Sequence, residues 1–220
     1  MNMSIEKSGG IALLTGSVLM LATMVFHPAG GNLHQLLRTA SVIVISHSLA
    51  LMAIPFLAVG FWGLTKRMGV NQFLPLIAFA MVLMGLLAGM IAAIINGLAL
   101  PIYIHSYREA TAEVIPTLKP ILKNNIALNQ AFDFVFLGAV SLSIMFWSIA
   151  ILTLKKLPIW MGYFGFVLSL TSIGMFVFGF LFVNLHGFRL FVFSNVVWIS
   201  LIGVALIRIK EDVKSKDFAD

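Results

Sequence analysis

A chain of 220 residues that is 60% hydrophobic and 10% charged, with a mean hydropathy of +1.05, has too little polar surface to coat a water-soluble globule. It reads as an integral membrane protein whose first partner is the lipid bilayer. The formal charge of +6 does not point to nucleic acid, because the bases stand singly or in pairs between apolar runs. The absence of cysteine excludes disulfides, thiolate metal centres and thiol nucleophiles.

A hydrocarbon core about 30 Å thick takes roughly 20 apolar helical residues, and that length gives six spans in chain order. The first lies near 10–28. Its apolar run from Ile11 to Phe26 is long for a signal core, and Pro28-Ala29-Gly30 makes a poor cleavage site, so a membrane helix is expected rather than a removed leader. The second, near 40–64, carries Pro55 and is expected to kink there. The third, near 74–100, holds Gly85 and Gly89 in a GxxxG pair, a pattern for close helix packing, chiefly within the bundle and alternatively against a second copy of the chain. Asn96-Gly97 followed by Pro101 predicts that this helix breaks near its far end.

Between the third and fourth spans, residues 105–127 place Ala110, Val114, Leu118 and Ile121 or Leu122 at helical spacing. The pattern predicts an amphipathic outer loop resting on the membrane surface or capping the bundle, broken by Pro116 and Pro120. The remaining spans fall near 128–153, 159–183 and 188–208, with a tail at 209–220. Gly162, Gly165, Gly174 and Gly179 thin the fifth for close packing. No ten-residue segments alternate apolar with polar, so a β-barrel is excluded. The expected fold is all-α, a single domain of six transmembrane helices.

Six spans put both termini on one side. Nine of the 14 bases fall on that side, among them Lys66, Arg67, Lys155, Lys156, Lys210, Lys214 and Lys216. Five fall on the other, and three of those, Arg108, Lys119 and Lys123, sit in the long loop where the positive-inside rule is weak. The contrast predicts cytoplasmic termini in a multi-pass protein of the cell membrane. Trp62, Trp147 and Trp160 near the terminal side read as interfacial anchors.

The five histidines, His27, His34, His47, His105 and His186, all fall toward the side away from the termini. Depth follows from the helical rise. His47 lies roughly 28 Å above Lys66, Asp133 roughly 33 Å above Lys155, and Asn96 roughly 36 Å from Gln72, all near the far boundary of the core. Asp133 is the one carboxylate inside a span, and Asn129 and Gln130 precede it at helical spacing on the same face. His27 and His34, beside the turn Pro28-Ala29-Gly30-Gly31, are read as turn residues without special function, and Arg38 and Arg189 as headgroup contacts.

The expected site is therefore a polar vestibule on the outer face, lined by some of His47, Asn96, Asn129, Gln130, Asp133, His186 and Arg189, and suited to binding, transporting or assisting a small or lipid-like molecule. Two alternatives stand beside it. One is a membrane enzyme or redox protein in which His47 and Asp133 ligate a divalent metal, His47 ligates haem, or the two act as an acid and base pair. The other is a structural or partner-binding protein with no small-molecule site, in which such polar groups only satisfy one another. No phosphate loop, HExxH, GxSxG or second intramembrane acid is present, so no cofactor is assigned.

Overall fold

The computed structural model describes residues 3–109, 114–178 and 185–209. Seven α-helices and one π-helix follow in order: α1 Ile5–Phe26, α2 Leu33–Met68, α3 Phe73–Ile94, the π-helix Ile95–Ala99, α4 Leu100–His105, α5 Ile115–Leu154, α6 Ile159–Val177 and α7 Leu185–Arg208. With the π-helix and α4 continuing α3, six helical rods are long and apolar enough to cross a membrane. Their outward surfaces carry Val18, Ile45, Leu87 and Val167, the apolar exterior that lipid requires. Among the described residues there is no strand. Gly179, Asn184 and Lys210 to Asp220, including Lys214 and Lys216, lie outside the described residues.

The third helix does not break at Asn96-Gly97. It widens into the π-helix and resumes as α4, with Pro101 in the first turn of α4, where a missing N–H costs little. The 105–127 segment also differs from the expected surface loop: from Ile115 onward it is the first three turns of α5, continuous with the fourth span. Pro116 occupies the first turn, and Pro120 comes only four residues later, where its missing N–H still falls close to the helix start. Ala110 of the proposed apolar face lies outside the described residues, but Leu118 and Leu122 find partners. They pack with Leu33, Leu36, Ile104 and Tyr103 into a small second core.

That second core explains two unusually long helices. At 1.5 Å per residue, the 36 residues of α2 and the 40 of α5 extend about 54 Å and about 60 Å, nearly twice the hydrocarbon thickness. Their basic ends, Lys66 and Arg67 on α2 and Lys155 after α5, fix the terminal side, so the excess stands on the opposite side as a helical collar. An Asn32 capping box with Gln35 starts α2 in this collar. Pro55 sits within α2 without ending it.

In the main bundle α1 packs on α2 and α7, α3 on α5, and α5 on α6. A Cβ placed on Gly9 meets the Cα of Gly63 at 2.7 Å, and one on Gly10 meets the carbonyl oxygen of Gly203 at 2.6 Å. The start of α1 thus lies backbone to backbone against the ends of α2 and α7, which puts the first and last helices' outer ends on one side. Arg67 Nε donates to the Lys156 carbonyl (3.2 Å) and Lys156 Nζ to the Met68 carbonyl (3.1 Å), tying two turns together on that side.

One expectation is sharpened and one changes. Gly85 and Gly89 face Phe136, Ala139 and Val140 of α5 in the same chain, so the GxxxG pair packs within the bundle and its surface is not left open to a second copy. Trp147 is not an interfacial anchor: it is fully buried and stacks on Phe61 with ring centroids 4.8 Å apart. Trp62 and Trp160 are exposed, as anchors should be.

Candidate functional site

On the side away from the termini the bundle opens into a cavity of about 320 Å³, within the range of small-molecule sites. Its walls come from the end of α1, the middle of α2, the α3–π-helix junction, the collar end of α5 and the start of α7. Polar groups gather toward the collar: Thr23, His27, His47, Asn96, Asn125, Asn129 and Asp133. The opposite end is apolar, floored by Met20, Leu57, Leu86 and Phe136, below which a void of about 30 Å³ reaches Asn195.

The π-helix positions the polar wall. An extra residue in one turn rotates the register, and here it turns Asn96 toward α5, a use of π-bulges that recurs at functional sites. Asn125, Asn129 and Asp133 recur every fourth residue on one stripe of α5. Asn125 Nδ2 donates to Asn96 Oδ1 (2.6 Å), Asn96 Nδ2 donates to Asn129 Oδ1 and to the Ala92 carbonyl (3.1 Å), and Asn129 Nδ2 donates to Asp133 Oδ2 (2.7 Å). Every amide in this chain donates toward the carboxylate, so each bond polarises the next and the last is charge-assisted. Among the described residues Asp133 has no ion-pair partner.

Across the cavity stand two imidazoles. His47 projects from α2 over Gly97, where even a single added carbon would lie 2.0 Å from the His47 Cβ. Only glycine leaves room for that ring against the π-helix. His27, just past the end of α1, approaches His47 with ring centroids 4.9 Å apart and planes tilted by 49°. His47 Nδ1 donates to the Ile43 carbonyl (2.8 Å) and His27 Nδ1 to the Pro28 carbonyl (3.0 Å). A carbonyl can only accept, so both tautomers are set and both Nε2 atoms are left as acceptors. Burial holds the His27 imidazole far below its ordinary value of 6.5, at about 4, with the neighbouring His47 ring and Arg189 adding to the effect.

The sequence-derived site is thus assembled in part. His47, Asn96, Asn129 and Asp133 line one cavity. His47 and Asp133 lie on opposite walls without a direct hydrogen bond between them. Gln130 and His186 do not join: both are exposed and neither lines the cavity. Gln130 departs because the cavity face of α5 is a narrow stripe of fourth residues. Arg189 lies behind the wall, its Nη2 donating to the His27 carbonyl (2.7 Å) and its Nε buried without a hydrogen-bond partner. Arg38, His34 and His105 are exposed outside the cavity, and Asn195 satisfies its own helix through the Phe191 carbonyl (2.7 Å).

Two contributors lie outside the sequence-derived site. Its neighbours make His27 a turn residue, yet it follows Met20 and Met24 at helical spacing on α1, a signal that places it inward. Asn125 falls in the 105–127 segment that reads as a loop; extending the α5 helix back by two turns from Asp133 finds it.

Haem held between two histidines does not fit. Opposed axial imidazoles put ring centroids above about 6 Å, given metal–nitrogen bonds of about 2.0 Å, whereas His27 and His47 are at 4.9 Å. Among the described residues no three His, Cys, Asp or Glu side chains come together, and His47 and Asp133 face each other across the cavity as a pair without a third such ligand. No known family model, curated protein or solved structure matches the chain, so the functional reading rests on the cavity itself.

Proposed function

We propose that this chain binds a small amphipathic molecule, as a carrier or accessory protein of the cell membrane. The observation that carries the reading is the division of one cavity into a polar end, with the Asp133 carboxylate and two unpartnered imidazole nitrogens, and an apolar end floored by Met20, Leu57, Leu86 and Phe136. The free groups at the polar end are acceptors, so the complementary headgroup donates: a hydroxyl or amine on a short apolar body. A pore is disfavoured, because below the polar layer the path is apolar as far as Asn195, itself occupied by its own helix.

The excess of Lys and Arg on the terminal side supports cytoplasmic ends and a vestibule open to the outer face. A reporter fused after Asp220 should be active only in the cytoplasm.

Ala50 lines the cavity and is only half-buried, so Ala50→Phe should fill the space without forcing the packed helices apart. Native mass spectrometry of the protein purified from its membrane should detect a bound molecule in the wild type and lose it in Ala50→Phe. A ligand at about 100 times its Kd adds about 2.7 kcal/mol to stability. The wild type should therefore melt higher before extensive delipidation than after it, and the variant should not. Equal ligand content in the two proteins would sink the reading.

A further inference from the structure

His27 and His47 are arranged as satisfied core histidines need not be. Each ring is tethered through Nδ1–H to a backbone carbonyl, and among the described residues neither Nε2 lone pair has a hydrogen-bond partner. That tether is the usual support behind a metal-bound imidazole, because it fixes the tautomer and aims the ring. With metal–nitrogen bonds of about 2.0–2.1 Å, two imidazoles in adjacent positions of a tetrahedral centre have centroids about 5 Å apart. The observed separation is 4.9 Å.

One further donor is soft: Met24 precedes His27 by three residues on the same face of α1 and lines the same cavity. Among the described residues no third His, Asp or Glu completes the group, and the chain has no cysteine. Thioether sulfur with imidazole selects monovalent copper over zinc, magnesium or calcium. Arg189, hydrogen-bonded to the His27 carbonyl, places a positive charge beside the pair, and that charge opposes a dication about twice as strongly as a monocation.

We infer that His27 and His47, with the thioether of Met24, form a copper(I) site in the cavity wall. The site takes the same imidazole nitrogens that the amphiphile reading offers to a headgroup, but the apolar floor and the Asp133 network still accept an amphiphile when copper is bound, so each reading has its own test.

The test titrates copper(I) under anaerobic conditions into the full chain in lipid nanodiscs, against a chromogenic copper(I) chelator, with zinc(II) as the comparator. One copper per chain is expected, with X-ray absorption showing both nitrogen and sulfur neighbours. His27→Gln and His47→Gln should each weaken binding roughly 10- to 100-fold. Met24→Leu preserves the packing volume of a buried side chain, so it should keep the wild-type melting temperature and still lose affinity at least several-fold. Absence of stoichiometric copper, tighter zinc than copper, or unaltered affinity in a normally folded Met24→Leu would each overturn the assignment. None of these outcomes bears on whether Ala50→Phe expels an amphiphile.

Discussion

At the terminal end of the bundle α1 presents Gly9 to the backbone of Gly63 and Gly10 to the Gly203 carbonyl and the Ile207 side chain, at distances that leave no space between the helices. At the other end the same helix and its neighbour carry Met20, Met24, His27 and His47, and the space between them is a cavity of about 320 Å³. One pair of helices is closed by small residues at one end and held open by large polar and soft ones at the other. In lipid, where packing rather than apolar burial drives association, the closed end supplies the attachment that lets the open end stay unfilled. Stability and binding should therefore separate along the helix axis.

The sharpest way to break that comparison is the same substitution at each end. Gly63→Ala drives a methyl group to within 2.8 Å of the Gly9 Cα, and backbone packed on backbone has nowhere to go. Gly97→Ala makes a closer collision, 2.0 Å from the His47 Cβ, a carbon fixed to the α2 backbone, so α2 and the π-helix must part there. Both should cost near the top of the about 1–3 kcal/mol range for overpacking, read by thermal unfolding in nanodiscs. Binding separates them: whatever Gly97→Ala protein folds should lose copper, while whatever Gly63→Ala protein folds should keep it. The reverse pattern would show that the two ends do not divide packing from binding.

A smaller effect is expected within the polar wall. Asn96→Leu strands the Asn125 donor and the Asn129 acceptor at once, and hydrogen bonds between membrane helices contribute about 0.6–1.7 kcal/mol each. A loss of about 1–2 kcal/mol is expected, together with weaker ligand retention. Gln130→Leu, one residue beyond Asn129 but exposed, should change neither. Equal losses from the two would mean that the amide chain has no structural role.

How much of this was legible in the sequence depended on which physical rule governed each residue. Span number and the polar layer at one depth follow from hydropathy and rise per residue, which are local. The placement of Asp133 beside Asn129 follows from fourth-residue spacing, also local. Failures began where a local signal met tertiary context. Pro116 and Pro120 argue for a loop, yet Pro116 stands in the first turn, where proline costs little, Pro120 is carried inside the helix one turn later, and Leu118 packs with Leu33 and Ile104 across the collar. Asn96-Gly97 argued for a break and instead produced a π-turn that carries Asn96 to α5 and makes room for His47. Trp147 sits at the right position for an anchor, but which side of a helix meets lipid is not encoded in position alone. His27 was discounted for its neighbours in sequence, when its neighbours in space, His47 and Arg189, decide its chemistry.

The smallest effect expected concerns His27, and it tests whether the open end imposes a cost on folding. An unfolded chain protonates this imidazole below about pH 6.5. The folded chain resists until about pH 4, because the charged ring would be buried against His47 and near Arg189. Between those values the unfolded state binds more protons, so the contribution of neutral His27 is fully present above about pH 6.5 and drains away as the pH falls toward 4. His27→Gln cannot take the proton, and its melting temperature should fall less across that window. The ring is only partly enclosed, so solvent reduces the difference, which should be of the order of the 2–4 °C that accompanies about 1 kcal/mol in a protein of this size. Parallel melting curves for the two proteins from pH 7 to pH 4 would mean that the charged ring is tolerated where it stands, and that the cavity is wetter at its polar end than its lining implies.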